Sequence, residues 1–366
     1  MLYNHLMKFR STTLFAVFAL LGSCGGVTES EPATAPFEAR IVKAAFADGR
    51  AWIIRADGNL YSFAEGDESV SAHAFGEPVL DMCDDGSKLW VVTVGARYTL
   101  RLRQGAQWLS IGQIDTGDDF LLGLGCGPGG PVLVTNRTLV SFDNAQRRQT
   151  MLSTRILPPE STPIDPEAGA VMEVVHLMDE WVFVGLDMGE WGGGLRRIDR
   201  RSGVVETIER TDGELCSGPL NTGCDRVQAI AQIPWQSGCL ALALDIGHGG
   251  SGRVTRVCGR EVEQFLAVRE RISSMRPDLK DKWRHGGFGS TPFLGAAISG
   301  QDLILASGIG LFRMNAEGVT YLGWPATRTI GDVSVSFAIP GTVLLAQNWN
   351  SEYSYYDTVR LIPRPR

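Results

Sequence analysis

The stretch Gly185-Leu186-Asp187-Met188-Gly189-Glu190-Trp191-Gly192-Gly193-Gly194-Leu195-Arg196-Arg197 returns, with substitutions, as Ala243-Leu244-Asp245-Ile246-Gly247-His248-Gly249-Gly250-Ser251-Gly252-Arg253-Val254. Each copy is the end of an apolar strand, an aspartate, a glycine-rich loop and the start of a strand that carries arginine. Self-similarity of this kind marks a repeat architecture. Working outward from the two copies, one order of elements recurs: a short strand rich in small residues, a turn, a strongly apolar strand, a loop, a third strand, a turn and a more polar fourth strand. Such units fall at 41–77, 79–116, 120–157, 171–210, 226–268, 293–325 and 331–366.

No unit of roughly forty residues can bury its own sheet, so the copies must stack on one another. The pattern predicts an all-β, seven-bladed β-propeller over residues 37–366 and resembles that superfamily; a pair of β-sandwiches is the rival architecture. Small residues in the first strands, Ala44-Ala45, Gly123 and Gly125, Ala229 to Ala231 and Gly295-Ala296-Ala297, suit the crowded strands around a central axis. The last unit has strands at Ser334–Ile339, Thr342–Gln347 and Tyr355–Ile362, after which Pro363 to Arg366 is too short for a fourth. The segment around Ala35 to Ala39 is expected to supply it, closing the last blade with an N-terminal strand and leaving fewer free sheet edges.

Ahead of this domain, Lys8 and Arg10 precede an apolar run, Leu14 to Leu21, that is too short to span a bilayer and reads as an export signal. It ends in Leu21-Gly22-Ser23-Cys24, which resembles the lipobox of bacterial lipoproteins. That resemblance implies a signal peptide over 1–23, a lipid on Cys24, a flexible tether over 24–36 and the membrane as a partner. Acyl chains joined to one cysteine hold a protein to a bilayer essentially without dissociation. Gly25 following the cysteine, by the enteric sorting rule, points to the outer membrane of the cell envelope.

The net charge is −7, and loss of residues 1–23 would remove only Lys8 and Arg10, making the remainder more acidic still. An acidic body argues against nucleic acid as a partner. With 44% hydrophobic residues and 44 glycines, the chain can bury a large core and make many turns. Beyond Cys24 six cysteines remain, in a compartment that permits disulfides. Cys239 and Cys258 end two runs that flank a Gly-rich turn and should lie opposite each other in a hairpin. Cys216 and Cys224 close a short loop holding Gly218, Pro219 and Gly223. Cys83 and Cys126 each end a comparable apolar run in neighbouring units, which makes them the third pair; free buried thiols are the other reading.

In a propeller, the loops between second and third strands and the links between blades emerge on one face. The long segments of this sequence fall in those places, so that face gathers Asp187, Glu190, Trp191, Asp245, His248, Trp349, Glu352 and Tyr353 as candidate ligand-binding residues, with loop 211–225 and an insertion at 269–292. Trp191, between glycines, with Trp349 and Tyr353 could stack on a sugar ring or peptide side chain, and Asp187, Glu190, Asp245 and Glu352 would add acceptors. Equally, the rings fold between blades and the acids cap turns. The basic insertion is either a lid or a solvated excursion.

No catalytic residue, metal site or cofactor follows from the sequence. Gly287-Phe288-Gly289-Ser290 fails the nucleophile-elbow pattern, and the histidines lack paired metal spacing, His248 being the best lone base or ligand. The acids of Asp115 to Asp119 lack the order of a calcium loop. Asp199 to Gly203 resembles the turn of quinoprotein-type repeats but lacks the following Trp and does not recur in every unit. Two functional readings result: an envelope binding or scaffold module that recognises a protein, peptide or glycan on the long-loop face, or a carboxylate-dependent hydrolase or lyase acting on a saccharide or lactone there.

Overall fold

The structure is a computed structural model that describes residues 41–363 except 56, 65–66, 68–69, 116–118, 144–145, 158–173, 190–191, 247–251, 268–291, 308–309, 324–331 and 352–353; side chains are not described at 143, 267, 323, 332–334 and 345–363. The signal segment, Cys24, the tether and residues 35–39 therefore lie outside the described residues.

The fold is an all-β propeller. Six antiparallel meanders of four strands follow one another, and the last repeat forms a sheet of three. The first strands are Ile41–Ala47, Val79–Asp84, Leu121–Gly127, Val174–Met178, Asp225–Gln232, Phe293–Ser299 and Asp332–Ser336. Each packs beside the next, and the last packs beside the first, so the sheets form a ring. Second strands are apolar on both faces, as in Leu89–Val94 and Cys239–Ile246, because each lies between two neighbouring sheets. The core is accordingly a series of clusters between blades; Leu344 of the last sheet packs with Ile41, Ala51, Ile53 and Phe63 of the first blade. Short turns join first to second strands: Asp48 and Gly49 both take positive φ, 53° and 70°, in the two-residue hairpin that pairs Ala47 with Arg50.

The expectation of seven blades, each with four strands, is corrected: the described residues make six complete blades. In the last repeat the second and third strands run ten residues each, Thr342–Ser351 and Ser354–Pro363, and pair throughout. Chain that other repeats divide among three strands is spent here on two. One consequence concerns Asn348 to Ser351, expected as loop: they are strand, with Trp349 opposite Tyr356 and Asn350 opposite Tyr355.

A feature with no obvious trace in the sequence recurs at the long-loop end of the first strands. In blades one, two, three, five and six the pairing with the second strand slips by one residue there. Such a bulge bends the strand and re-aims the side chains beside it. Beyond it the small residues allow close approach: a Cβ on Gly123 would lie 2.5 Å from Val175 Cγ2, and one on Gly125 2.7 Å from Val175 Cγ1.

Candidate functional site

Two of the expected site residues meet. Asp187 and Asp245 end the second strands of blades four and five, and Arg226, near the start of blade five's first strand, reaches both. Its guanidinium pairs with Asp245 and stands 3.9 Å from Asp187 Oδ1. The bulged residue Gln228 donates from Nε2 to Asp187 Oδ2 at 2.7 Å, and the Gly189 N–H donates to Asp187 Oδ1 at 3.0 Å. The carboxylates are nearly buried, 11% and 8% exposed, while Arg226 retains 28%. Two carboxylates around one guanidinium leave a single negative charge at the mouth of the ring. Asp187 and Asp245 are thus held by their neighbours, and Asp187 caps its own turn, the second of the two roles the sequence offered for these acids.

Beside this cluster the link 209–225 is fixed from several directions. Leu220 is fully buried in the core between blades four and five. Arg253 donates from Nη2 to both Asp225 oxygens, at 2.7 and 2.6 Å, and the Asn221 N–H donates to Oδ2 at 2.6 Å. Burial pushes the Asp225 carboxyl up, and Arg253 beside it opposes that. Thr255 Oγ1 donates to the Pro219 carbonyl, and Thr222 Oγ1 to Glu209 Oε2 at 2.8 Å. The Cys216–Cys224 disulfide closes the loop. Just before that loop Leu215 is 91% exposed, following the exposed acids Asp212 and Glu214.

The glycine run of the quoted stretch explains how this link seats. The Gly193 N–H donates to the Thr222 carbonyl at 2.9 Å. A Cβ on Gly192 would stand 2.4 Å from the Cys224 nitrogen, and one on Gly194 2.6 Å from Thr222 Cγ2; both glycines have positive φ. Bare backbone is needed because another backbone lies on it. The glycines around position 191 therefore receive the disulfide loop, a different role from the expected clearing of space around Trp191.

The other two disulfides are also as expected. Cys239 and Cys258 face each other in register, and Cys83–Cys126 joins the first strands of blades two and three. Glu190, Trp191, His248, Glu352, Tyr353 and nearly all of the basic insertion lie outside the described residues, and Trp349 is placed by its backbone alone. Asp119 caps a turn, accepting from the Arg137 N–H at 3.0 Å, and Asp115 stands 3.5 Å from Arg97. Asp199 caps its own turn, accepting from the N–H groups of Arg201 and Ser202 at 2.9 and 2.7 Å. Among the described residues no three His, Cys, Asp or Glu side chains stand close enough to hold a metal ion.

Sequence reasoning missed Arg226, Gln228, Lys43 and Asp81. Lys43 and Asp81 did carry a signal: Lys43 is the lone charge of the apolar strand Ile41–Ala47, and Asp81 is a charge set between apolar residues inside Val79–Asp84.

No protein-family model matches the chain, and no curated protein matches it. Among solved structures, YCF48 from Cyanidioschyzon merolae is 15% identical, with a TM-score of 0.53 over 90% of this chain and 97% of that one. A structure of YCF48 bound to D1 peptide is 13% identical, with a TM-score of 0.53 over 90% and 98%. The extracellular domain of a hybrid two-component system from B. thetaiotaomicron is 14% identical, with a TM-score of 0.48; the match takes in 84% of this chain but only 37% of that one, so this chain spans little more than a third of its length. At these identities the likeness shows the β-propeller fold and nothing finer. Three disulfides in one chain belong to an oxidising compartment and to an exported protein.

Proposed function

We propose that this chain is a lipid-anchored envelope module, held by a lipid on Cys24, that binds a protein or peptide on its long-loop face. One observation carries the reading: the disulfide-closed loop 216–224 is seated on the backbone of Gly192 to Gly194, next to the Asp187–Arg226–Asp245 cluster. A rim ordered before any ligand arrives lowers the entropic cost of association. Exposed Leu215, preceded by the acids Asp212 and Glu214, gives that rim an apolar knob suited to a partner with a basic border. The structure of YCF48 bound to D1 peptide, which has a similar fold, supports a peptide as the kind of ligand. Asp187 and Asp245 share Arg226, so those two do not form the free acid–base pair that hydrolysis needs. The same reading has residues 35–39 completing the seventh sheet.

The test is crosslinking in the native envelope, with a photoreactive residue at position 215 and, as control, at position 88 in a turn of the opposite face. A discrete adduct from 215 and none from 88 is expected, and it should vanish when Trp191 and Trp349 are changed to Ala in a protein that still melts normally. Adducts from both positions, or from neither, would remove the long-loop face as a recognition surface.

A further inference from the structure

The outermost strand of blade three, Gln146–Met151, presents Arg147 and Arg148 on the rim of the ring. Blade four's turn Asp199 to Val204 lies against it. Arg148 donates from Nη2 to the Arg201 carbonyl at 3.0 Å, the Ser153 N–H to the Gly203 carbonyl at 2.9 Å, and the Val205 N–H to Ser153 Oγ at 3.0 Å. Gly203, at φ 72°, is so close that a Cβ there would stand 2.2 Å from the Met151 carbonyl oxygen. The junction is therefore fixed, and it holds Arg148, Arg201, Met151 and Val204 together.

Three arginines gather in this patch, and two of them donate only to uncharged groups, as Arg103 and Arg210 do singly elsewhere. Arg50, Arg101, Arg197, Arg226, Arg253 and Arg256 each pair with a carboxylate. Arg147 instead donates to the Gln113 carbonyl and Gln149 Oε1, both at 2.9 Å, and Arg148 to a carbonyl. Neither Arg147 nor Arg148 forms an ion pair among the described residues; Arg201 is near enough to Asp199 that, after the hydrogen bonds from Ser202, its charge helps hold that carboxyl below its usual range. Asp199 is occupied by the N–H groups of its own turn, Asp179 and Glu180 belong to the adjoining hairpin, and Glu206 is held by Arg197 and Arg260. Amid these arginines Met151 is 63% exposed and Val204 44%.

We propose that this rim patch docks on an anionic phospholipid surface. Guanidinium groups without carboxylate partners fit phosphodiester oxygens, and isolated apolar side chains beside them fit the boundary between headgroup and acyl chain. The interaction is separate from any lipid on Cys24 and leaves the long-loop face open. It can fail without affecting the recognition reading.

The exported Cys24→Ala chain, which carries no lipid, tests it by co-sedimentation with vesicles of phosphatidylcholine alone or with a third of the lipid replaced by phosphatidylglycerol. Binding is expected only to the anionic vesicles and should weaken with added salt. Reversal of Arg147, Arg148 and Arg201 to Glu should weaken it about tenfold or more. Met151→Ser with Val204→Ser should weaken it by a smaller factor, and Lys88→Glu should leave it unchanged. If the reversed protein melts abnormally, the three Gln substitutions take its place. Absence of binding, or equal binding by the reversed or Gln-substituted protein, overturns the proposal; so does capture by immobilised polyglutamate with no affinity for vesicles, which would mark an acidic protein as the occupant.

Discussion

Lys43 and Asp81 occupy the same place in consecutive repeats, each the first paired residue after the bulge in its blade's first strand, and they form an ion pair across the blade boundary. Asp81 is fully buried and also accepts from the N–H groups of Met82 and of Leu124 in blade three, both at 2.7 Å. One carboxylate thus ties three blades together beside the axis.

Removing the cation should therefore cost far more than an exposed pair would. Lys43→Met leaves a buried, uncompensated charge, and about 3–5 kcal/mol of stability should be lost near neutral pH. Burial raises the Asp81 carboxyl and Lys43 opposes that, so its removal sends the value higher. With a folded value above the unfolded one, the folded state holds the extra proton, and stability falls as pH rises through that window. Urea unfolding near pH 4 and pH 7 should show the variant regaining on the parent at the acidic end. A variant as stable as its parent at pH 7 would contradict this.

The disulfides should separate stability from recognition. Cys83–Cys126 spans 43 residues and Cys216–Cys224 only 8. Loop-closure entropy then gives about 4 kcal/mol for the first and about 2.5 kcal/mol for the second. Replacing the first pair by Ala should lower the urea midpoint more while leaving the crosslink from position 215 in place. Replacing the second should do the reverse, since it loosens the rim. Equal loss of crosslinking in both would mean that the loop has no special part in binding.

The repeat boundaries and two of the cysteine pairs were legible because they rest on local pattern, namely strand periodicity, turn residues and hairpin register, and Cys83–Cys126 because its members hold matching positions in neighbouring repeats. Asp187 was legible as a residue of interest but not as a partner of Arg226, because their contact joins two blades and follows no period in the chain. The bulges were hidden since one unpaired residue leaves the apolar pattern of a buried strand unchanged. Gly192 to Gly194 misled for a physical reason: a glycine run reads alike whether it frees a neighbour or receives another backbone.

His176, in blade four's first strand, has a buried Nε2 with no hydrogen-bond partner among the described residues. Burial lowers the imidazole from 6.5 to about 4. Between these values the unfolded chain binds the proton and the folded one does not, so stability falls as pH drops from 6.5 towards 4. This group alone should account for about 3 kcal/mol of that loss. Denaturant titrations of His176→Leu should show a correspondingly shallower acid dependence. An unchanged slope would mean that the ring finds a partner when protonated.

Completion of the seventh sheet by residues 35–39 can be tested without deleting chain. If they pair with the strand Ser354–Pro363, their N–H groups enter a ladder. Phe37→Pro with Ala39→Pro then removes donors and should cost about 3 kcal/mol or more. The freed outer edge would also invite association between molecules, so aggregation during a thermal scan should begin earlier. The same substitutions at Ala33 and Thr34, in the tether, should change neither reading. Were the two pairs of prolines equally silent, the last sheet would be stable with three strands, held by Leu344 against the first blade.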